Sequence, residues 1–227
     1  GLVTNLRRAP DEVRLIYDWS DGNDVFGRLS GTAGESYVYD PRNQRVLINK
    51  ANGTRELNIY GIDGLLYQVW SWNGTAWSRV AAKERIYFAG RLIMVGGEKV
   101  VTDRLGSVVR KGTTNMAYYP YGQERTSTPN DTAKFGTYTR DAATGLDYAM
   151  NRYYQSTWGR FTTADPYRAS GGPADPGSWN RYSYVQGDPV NLLDPRGLKK
   201  CNADFCVTGT GYADGDPSSS PSPGSGG

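Results

Sequence analysis

From residue 37 to residue 102 the chain alternates short runs of Val, Ile, Leu, Tyr and Trp with strong turn dipeptides. YVYD (37–40) is followed by PRNQ and then RVLIN (45–49). Asn52-Gly53 separates that run from RELNIY (55–60), and Asp63-Gly64 precedes LLYQVWSW. Asn73-Gly74 leads into TAWSRV, ERIYF and RLIMV, and Gly96-Gly97 stands directly between RLIMV and EKVVT. Asn-Gly, Asp-Gly and Gly-Gly supply the positive φ angles of two-residue hairpin turns, so the pattern predicts a continuous antiparallel meander. Alternation within RELNIY and LLYQVWSW predicts one buried face and one wetter face. Beneath the strands runs a weak repeat: Tyr17-Asp18, Tyr39-Asp40 and Tyr60 with Asp63 recur at intervals of about 21 residues, and Tyr87 follows after a longer gap. Such a period points to a repeat array in which each unit buries its face against its neighbours. An ordinary β-sandwich gives similar spacing.

After about Asn130 the hairpin signals thin out and turns and aromatic residues crowd together. SWNRYSYV (178–185) and DPVNLLD (188–194) each predict about two helical turns, with Ser178 and Asp188 as N-caps. Beyond Tyr212 the segment ADGDPSSSPSPGSGG has nothing to bury and reads as a linker or tail.

Composition narrows the chemistry. Among 227 residues there is no histidine, which excludes Ser-His-Asp and Cys-His catalysis, imidazole-based zinc sites and an imidazole pH switch. Acid–base work near neutral pH falls to carboxylates, Lys, Tyr or Cys. The net charge is +3, with basic and acidic residues interleaved, so no nucleic-acid partner is expected. Cys201 and Cys206 lack the spacing of redox or zinc motifs and predict a small disulfide loop, which suits an exported protein. No metal or cofactor is expected. No apolar run approaches the roughly 20 residues of a membrane span, and the opening GLVTNLRRAPDE has neither Met nor a signal-peptide core, so it reads as a piece of a longer protein.

Four stretches, in order, resemble the Rhs repeat-associated core domain found in bacterial polymorphic toxins and the C components of Tc toxins. They are TDRLGSVVR (102–110), AYYPYGQE (117–124), RDAATGLDYAMNRYYQSTWGRFTTADPY (140–167) and WNRYSYVQGDPVNLLDPRGL (179–198). The Tyr-Asp repeats before them resemble the family's YD repeats. The resemblance implies a mainly β fold, in which an antiparallel meander of YD-type repeats forms part of a shell and a core or plug domain with short helices caps it. It divides the chain into a shell segment over 1–130, the core domain over 131–198 and a variable tail over 199–227. The implied partners are the chain's own upstream repeats and C-terminal segment, and the implied location is extracellular or at the bacterial surface. In cleaving members two aspartates cut the chain after the Leu of the DPxGL motif. Carried over, these are Asp165 and Asp194, with the scissile bond Leu198–Lys199. Ala164 stands where some cleaving members have Arg, and the connection from Asp165 to Asp194 is longer than usual.

Two carboxyl groups sharing a proton can activate water and protonate a peptide, because close like charges drive their pKa values apart. Asp-Pro-x-Gly is equally a good turn sequence, and Asp40, Asp175, Asp188 and Asp216 also precede proline. Arg160 and Arg181 are candidate cations for one carboxylate, with a structural salt bridge as the alternative. Asp188 is a decoy better read as a cap. Tyr153, Tyr154, Trp158, Phe161, Trp179, Tyr182 and Tyr184 read as an aromatic core rather than a ligand groove. The tail following Leu198 is too short and too small-residue-rich for a toxin domain. Competing with an autoprotease are a non-catalytic structural or adhesive β-module, self-associating through exposed sheet edges, and a carbohydrate platform on Trp70, Trp72 and Trp77.

Overall fold

The computed structural model describes residues 28–32, 34–165 and 176–202; Tyr17-Asp18, Cys206 and the segment beyond Tyr212 lie outside them. Three antiparallel sheets follow one another along the chain, and in each the strands are neighbours in sequence. The first holds β1 (Gly31–Thr32), β2 (Glu35–Tyr39), β3 (Arg45–Asn49), β4 (Arg55–Tyr60), β5 (Leu66–Trp72) and β6 (Trp77–Arg79). The second holds β7 (Arg85–Phe88), β8 (Arg91–Val95), β9 (Glu98–Thr102), β10 (Val108–Lys111) and β11 (Thr114–Asn115). The third is built of short strands, β12 (Thr132–Ala133), β13 (Thr139–Arg140), β14 (Asp147–Tyr148), β15 (Tyr153–Gln155) and β16 (Arg160–Phe161). A last ladder pairs β17 (Leu192–Leu193) with β18 (Cys201–Asn202). The fold is mainly β, as expected.

The turns differ in type from the expectation, with one exception. At Asn52-Gly53 and Asp63-Gly64 only the glycine has positive φ, +82° and +77°. Each sits one residue further along than a two-residue turn allows, closing a type I turn followed by a bulge: Gly53 N–H bonds Lys50 O at 3.0 Å and Gly64 N–H bonds Gly61 O at 2.9 Å. Asn73-Gly74 belongs to a four-residue loop, since Trp72 pairs with Trp77. Gly96-Gly97 is the expected tight turn, with both glycines at positive φ between the paired Val95 and Glu98.

The repeat has a physical basis in these turns. The Asp40 carboxylate accepts the N–H groups of Arg42 (2.9 Å) and Gln44 (2.7 Å), and Asp63 that of Leu65 (3.0 Å). The tyrosines turn inward, Tyr39 onto Leu29 O and Tyr60 onto Arg45 O.

The third sheet is the hub. Tyr37 and Ile48 of the first sheet pack on Leu146, Tyr148 and Tyr153, while Leu92, Val95, Val100 and Val108 of the second pack with Met116 and Ala133. Between them Phe135, Tyr138, Tyr154, Phe161 and Tyr184 form an aromatic centre. Its closest pair, Tyr154 and Tyr184, has ring centroids 4.8 Å apart. Arg45 pins the first sheet to the third: its guanidinium grips Asp141 bidentately at 2.6 and 2.8 Å and lies over Tyr37 and Tyr148. Trp158, Trp179 and Tyr182 are exposed, so the expected aromatic core loses those three members. Trp72 and Trp77 face each other across paired strands of the first sheet, rings 5.6 Å apart.

The two predicted helices do not form. Residues 178–194 carry only three-residue 3₁₀ turns at Pro176–Ser178 and Val185–Gly187. Val185 and Gln186 both take positive φ, 43° and 56°, which no right-handed helix accepts, and Leu192–Leu193 is claimed by the β18 ladder instead. No helix among the described residues is long and apolar enough to cross a membrane.

Candidate functional site

Asp165 lies four residues beyond β16, and its N–H bonds Arg181 O at 2.9 Å. Asp194 directly follows β17. Both side chains are buried, with residue exposures of 6% and 4%, and both meet one group: Arg152 Nη2 lies 3.4 Å from Asp165 Oδ2 and 3.2 Å from Asp194 Oδ2. The two carboxylate oxygens are thus no farther apart than those two contacts laid end to end. Arg152 immediately precedes β15 and is itself buried. It is held by donating Nε–H to Gly197 O and Nη1–H to Arg181 O (3.0 Å), with its guanidinium carbon 3.5 Å from the Phe161 ring centre.

The DPRGL turn brings the main chain to the same place. Asp194 Oδ1 accepts the N–H of Leu198 at 2.9 Å and that of Lys199 at 3.1 Å. The second is the amide nitrogen of the Leu198–Lys199 bond. Tyr138 O–H donates to the main-chain carbonyl of Asp194. Gly197 must be glycine here: its φ is +71°, and an added Cβ would stand 2.9 Å from Ala149 O and 3.3 Å from the Arg152 main-chain nitrogen. Burial pushes the Asp194 carboxyl above the usual carboxylate range and the Asp165 charge adds to this, while Arg152 and the two amides pull it back.

The expected supporting cations are placed differently. Arg160 is exposed on β16, where its backbone bridges to Ser183. Arg181 reaches Asp165, but its Nη2 donates to the main-chain oxygen. The arginine facing both carboxylates is Arg152, within NRYY. The available signal was a lone cation amid the buried run around Tyr148, Tyr153 and Tyr154, where an unpaired charge is costly. Asp188 bonds within its own loop, to the Asn191 N–H (3.2 Å) and Nδ2 (3.0 Å). Cys201 is disulfide-bonded. Among the described residues no group of His, Cys, Asp and Glu gathers to hold a metal ion.

No family model matches the chain. It is 38% identical over 88 residues to the toxin subunit YenC2 of Yersinia entomophaga, covering 36% of this chain and 8% of that protein. It is 33% identical over 78 residues to RhsA of Dickeya dadantii (34% and 5%) and 43% identical over 58 residues to YlbH of Escherichia coli K12 (26% and 22%). The matches therefore span less than a quarter of each relative. Among solved structures, the TcdB2–TccC3–Cdc42 complex aligns over 81% of this chain and 11% of that one, at 21% identity and a TM-score of 0.47. These sequence matches, with the four ordered motifs, make the chain an Rhs-related protein.

Proposed function

We propose that residues 1–130 build part of a Rhs-type β-wall, that residues 131–198 close it as a core domain, and that Asp165 and Asp194 hydrolyse the Leu198–Lys199 bond once, within the chain. The observation that carries the reading is the double engagement of Asp194. One carboxylate oxygen shares Arg152 with Asp165, and the other lies 3.1 Å from the Lys199 nitrogen. In the proposed step Asp165 takes a proton from water as the water oxygen bonds to the Leu198 carbonyl carbon. Protonated Asp194 then delivers its proton to the Lys199 nitrogen as the C–N bond breaks, leaving a carboxyl group on Leu198 and an amine on Lys199. Burial favours the protonated form that this role requires. Holding the bond in the same chain offsets about 7–11 kcal/mol of the barrier at ideal geometry. The wall's function is encapsulation or display outside the cell or at its surface, with upstream repeats and the C-terminal segment as partners.

The test is intact mass of the chain carrying a C-terminal tag, kept near neutral pH because Asp-Pro bonds break in acid. A species ending at Leu198 is expected, and Asp194→Asn and Asp165→Asn each abolish it. An intact wild-type chain leaves the second reading, a non-catalytic structural module. That reading is favoured by the Asp103 carboxylate, which accepts the N–H groups of Leu105 (2.9 Å) and Ser107 (2.8 Å) in an ordinary turn much as Asp194 does.

A further inference from the structure

A cavity of about 120 Å³ lies between the first sheet, the second sheet and β12–β13, and Leu193, Pro195 and Arg196 around Asp194 also line it. Six basic side chains line it against three carboxylates, Glu56, Asp131 and Asp141, a surplus of three positive charges. The acids are already engaged. Asp141 holds Arg45; Glu56 takes the Lys83 Nζ on both oxygens at 2.8 and 2.9 Å; Asp131 is shared by Lys50 at 3.5 Å and Lys83 at 3.7 Å.

Arg85 is left over. It is 8% exposed, donates from Nη2 to Thr139 Oγ1 at 2.6 Å, and has no carboxylate within ion-pair distance among the described residues. A buried guanidinium without a counter-charge is costly. Two more cavity-lining residues carry unmet polar atoms: Arg45 Nε and Thr132 Oγ1 are buried with no hydrogen-bond partner. Burial pushes the Tyr60 hydroxyl up while Arg45 and Arg85 both pull it back, so one phenol lies in the field of both guanidinium groups.

We infer that this cavity binds a small oxyanion of the phosphate or sulfate class, which takes the Arg85 charge as its counter-ion and accepts hydrogen bonds from Arg45 Nε–H and the Thr132 hydroxyl. A volume of about 120 Å³ has room for a tetrahedral anion and its remaining water. The inference does not depend on cleavage.

Thermal unfolding of the full chain in sodium phosphate, against sodium chloride of equal ionic strength, tests it. Phosphate at a hundredfold excess over Kd raises Tm by roughly 5–10 °C, saturably, and chloride does not. In Arg85→Met that rise disappears, and its Tm without phosphate equals or exceeds the wild-type value. If Arg85→Met does not fold, Thr132→Val replaces it and binds phosphate at least tenfold more weakly by calorimetry. The inference is overturned by a wild-type Tm indifferent to phosphate and sulfate beyond the chloride control. It is equally overturned by a rise that persists in Arg85→Met, or by unchanged phosphate affinity in Thr132→Val.

Discussion

Arg152→Met removes the guanidinium from between two buried carboxylates while leaving an apolar stem over Phe161. Breaking a buried ion pair by deleting one partner costs about 3–5 kcal/mol, because the remaining charge stays out of water. The carbonyls of Gly197 and Arg181 each lose a donor, at about 1 kcal/mol apiece. At pH 7.5 the loss is therefore about 5–7 kcal/mol, as large as the whole stability of many domains. Its sign with pH follows from the same geometry. Without the cation, the buried Asp194 carboxyl, which burial and the Asp165 charge already push up, loses the group that pulls it back and moves further upward. A carboxyl raised in the folded state contributes stability present at low pH and lost as pH rises through the folded value. The deficit should thus shrink to about 2–3 kcal/mol at pH 5, where protonation removes the stranded charge. Urea unfolding followed by tryptophan fluorescence at the two pH values measures it. The triple variant with Asp165→Asn and Asp194→Asn should recover more than half of the pH 7.5 loss, since the paired terms cancel rather than add. A deficit equal at both pH values, or one that adds in the triple variant, refutes the shared-arginine reasoning.

Two further outcomes follow from single residues. Burial pushes the Asp147 carboxyl from 3.8 to about 6 despite its bidentate grip on Arg140, so it contributes stability present below pH 3.8 and lost as pH rises through 6, about 3 kcal/mol in all. Asp147→Asn should flatten the decline between pH 4 and 7 in denaturant titrations, and an unchanged slope would contradict the assignment. Gly197→Ala meets Ala149 O at 2.9 Å at positive φ, so it should cost about 1–3 kcal/mol and lower Tm; a neutral result would mean that the DPRGL turn is not held against Arg152.

The strands were legible because turn residues and β-branched runs act locally: Gly96-Gly97 specifies its own turn wherever it lies. The bulges after Asn52-Gly53 and Asp63-Gly64 were not legible, because they depend on how the flanking strands pair. The helical reading of 178–194 failed for a related reason, as tertiary packing of Tyr184 and the β18 ladder outweighed weak local propensity. Asp165 and Asp194 were named from family motifs. Arg152 was passed over because a sequence pattern cannot say which of several arginines turns inward. That Arg85 meets no carboxylate among the described residues was invisible for the opposite reason, since a missing counter-charge is a property of three-dimensional neighbours alone.

The ladder of β17 with β18 joins residues on either side of Leu198–Lys199, Leu192 to Asn202 and Leu193 to Cys201. A break at that bond would alter connectivity without altering shape. The downstream piece would stay zipped to the upstream one, its fresh amino group seated on Asp194 Oδ1 as a new ion pair. Denaturing electrophoresis would count two polypeptides where gel filtration counts one. Departure of the downstream piece would then be a separate event, timed by peeling a short strand rather than by hydrolysis.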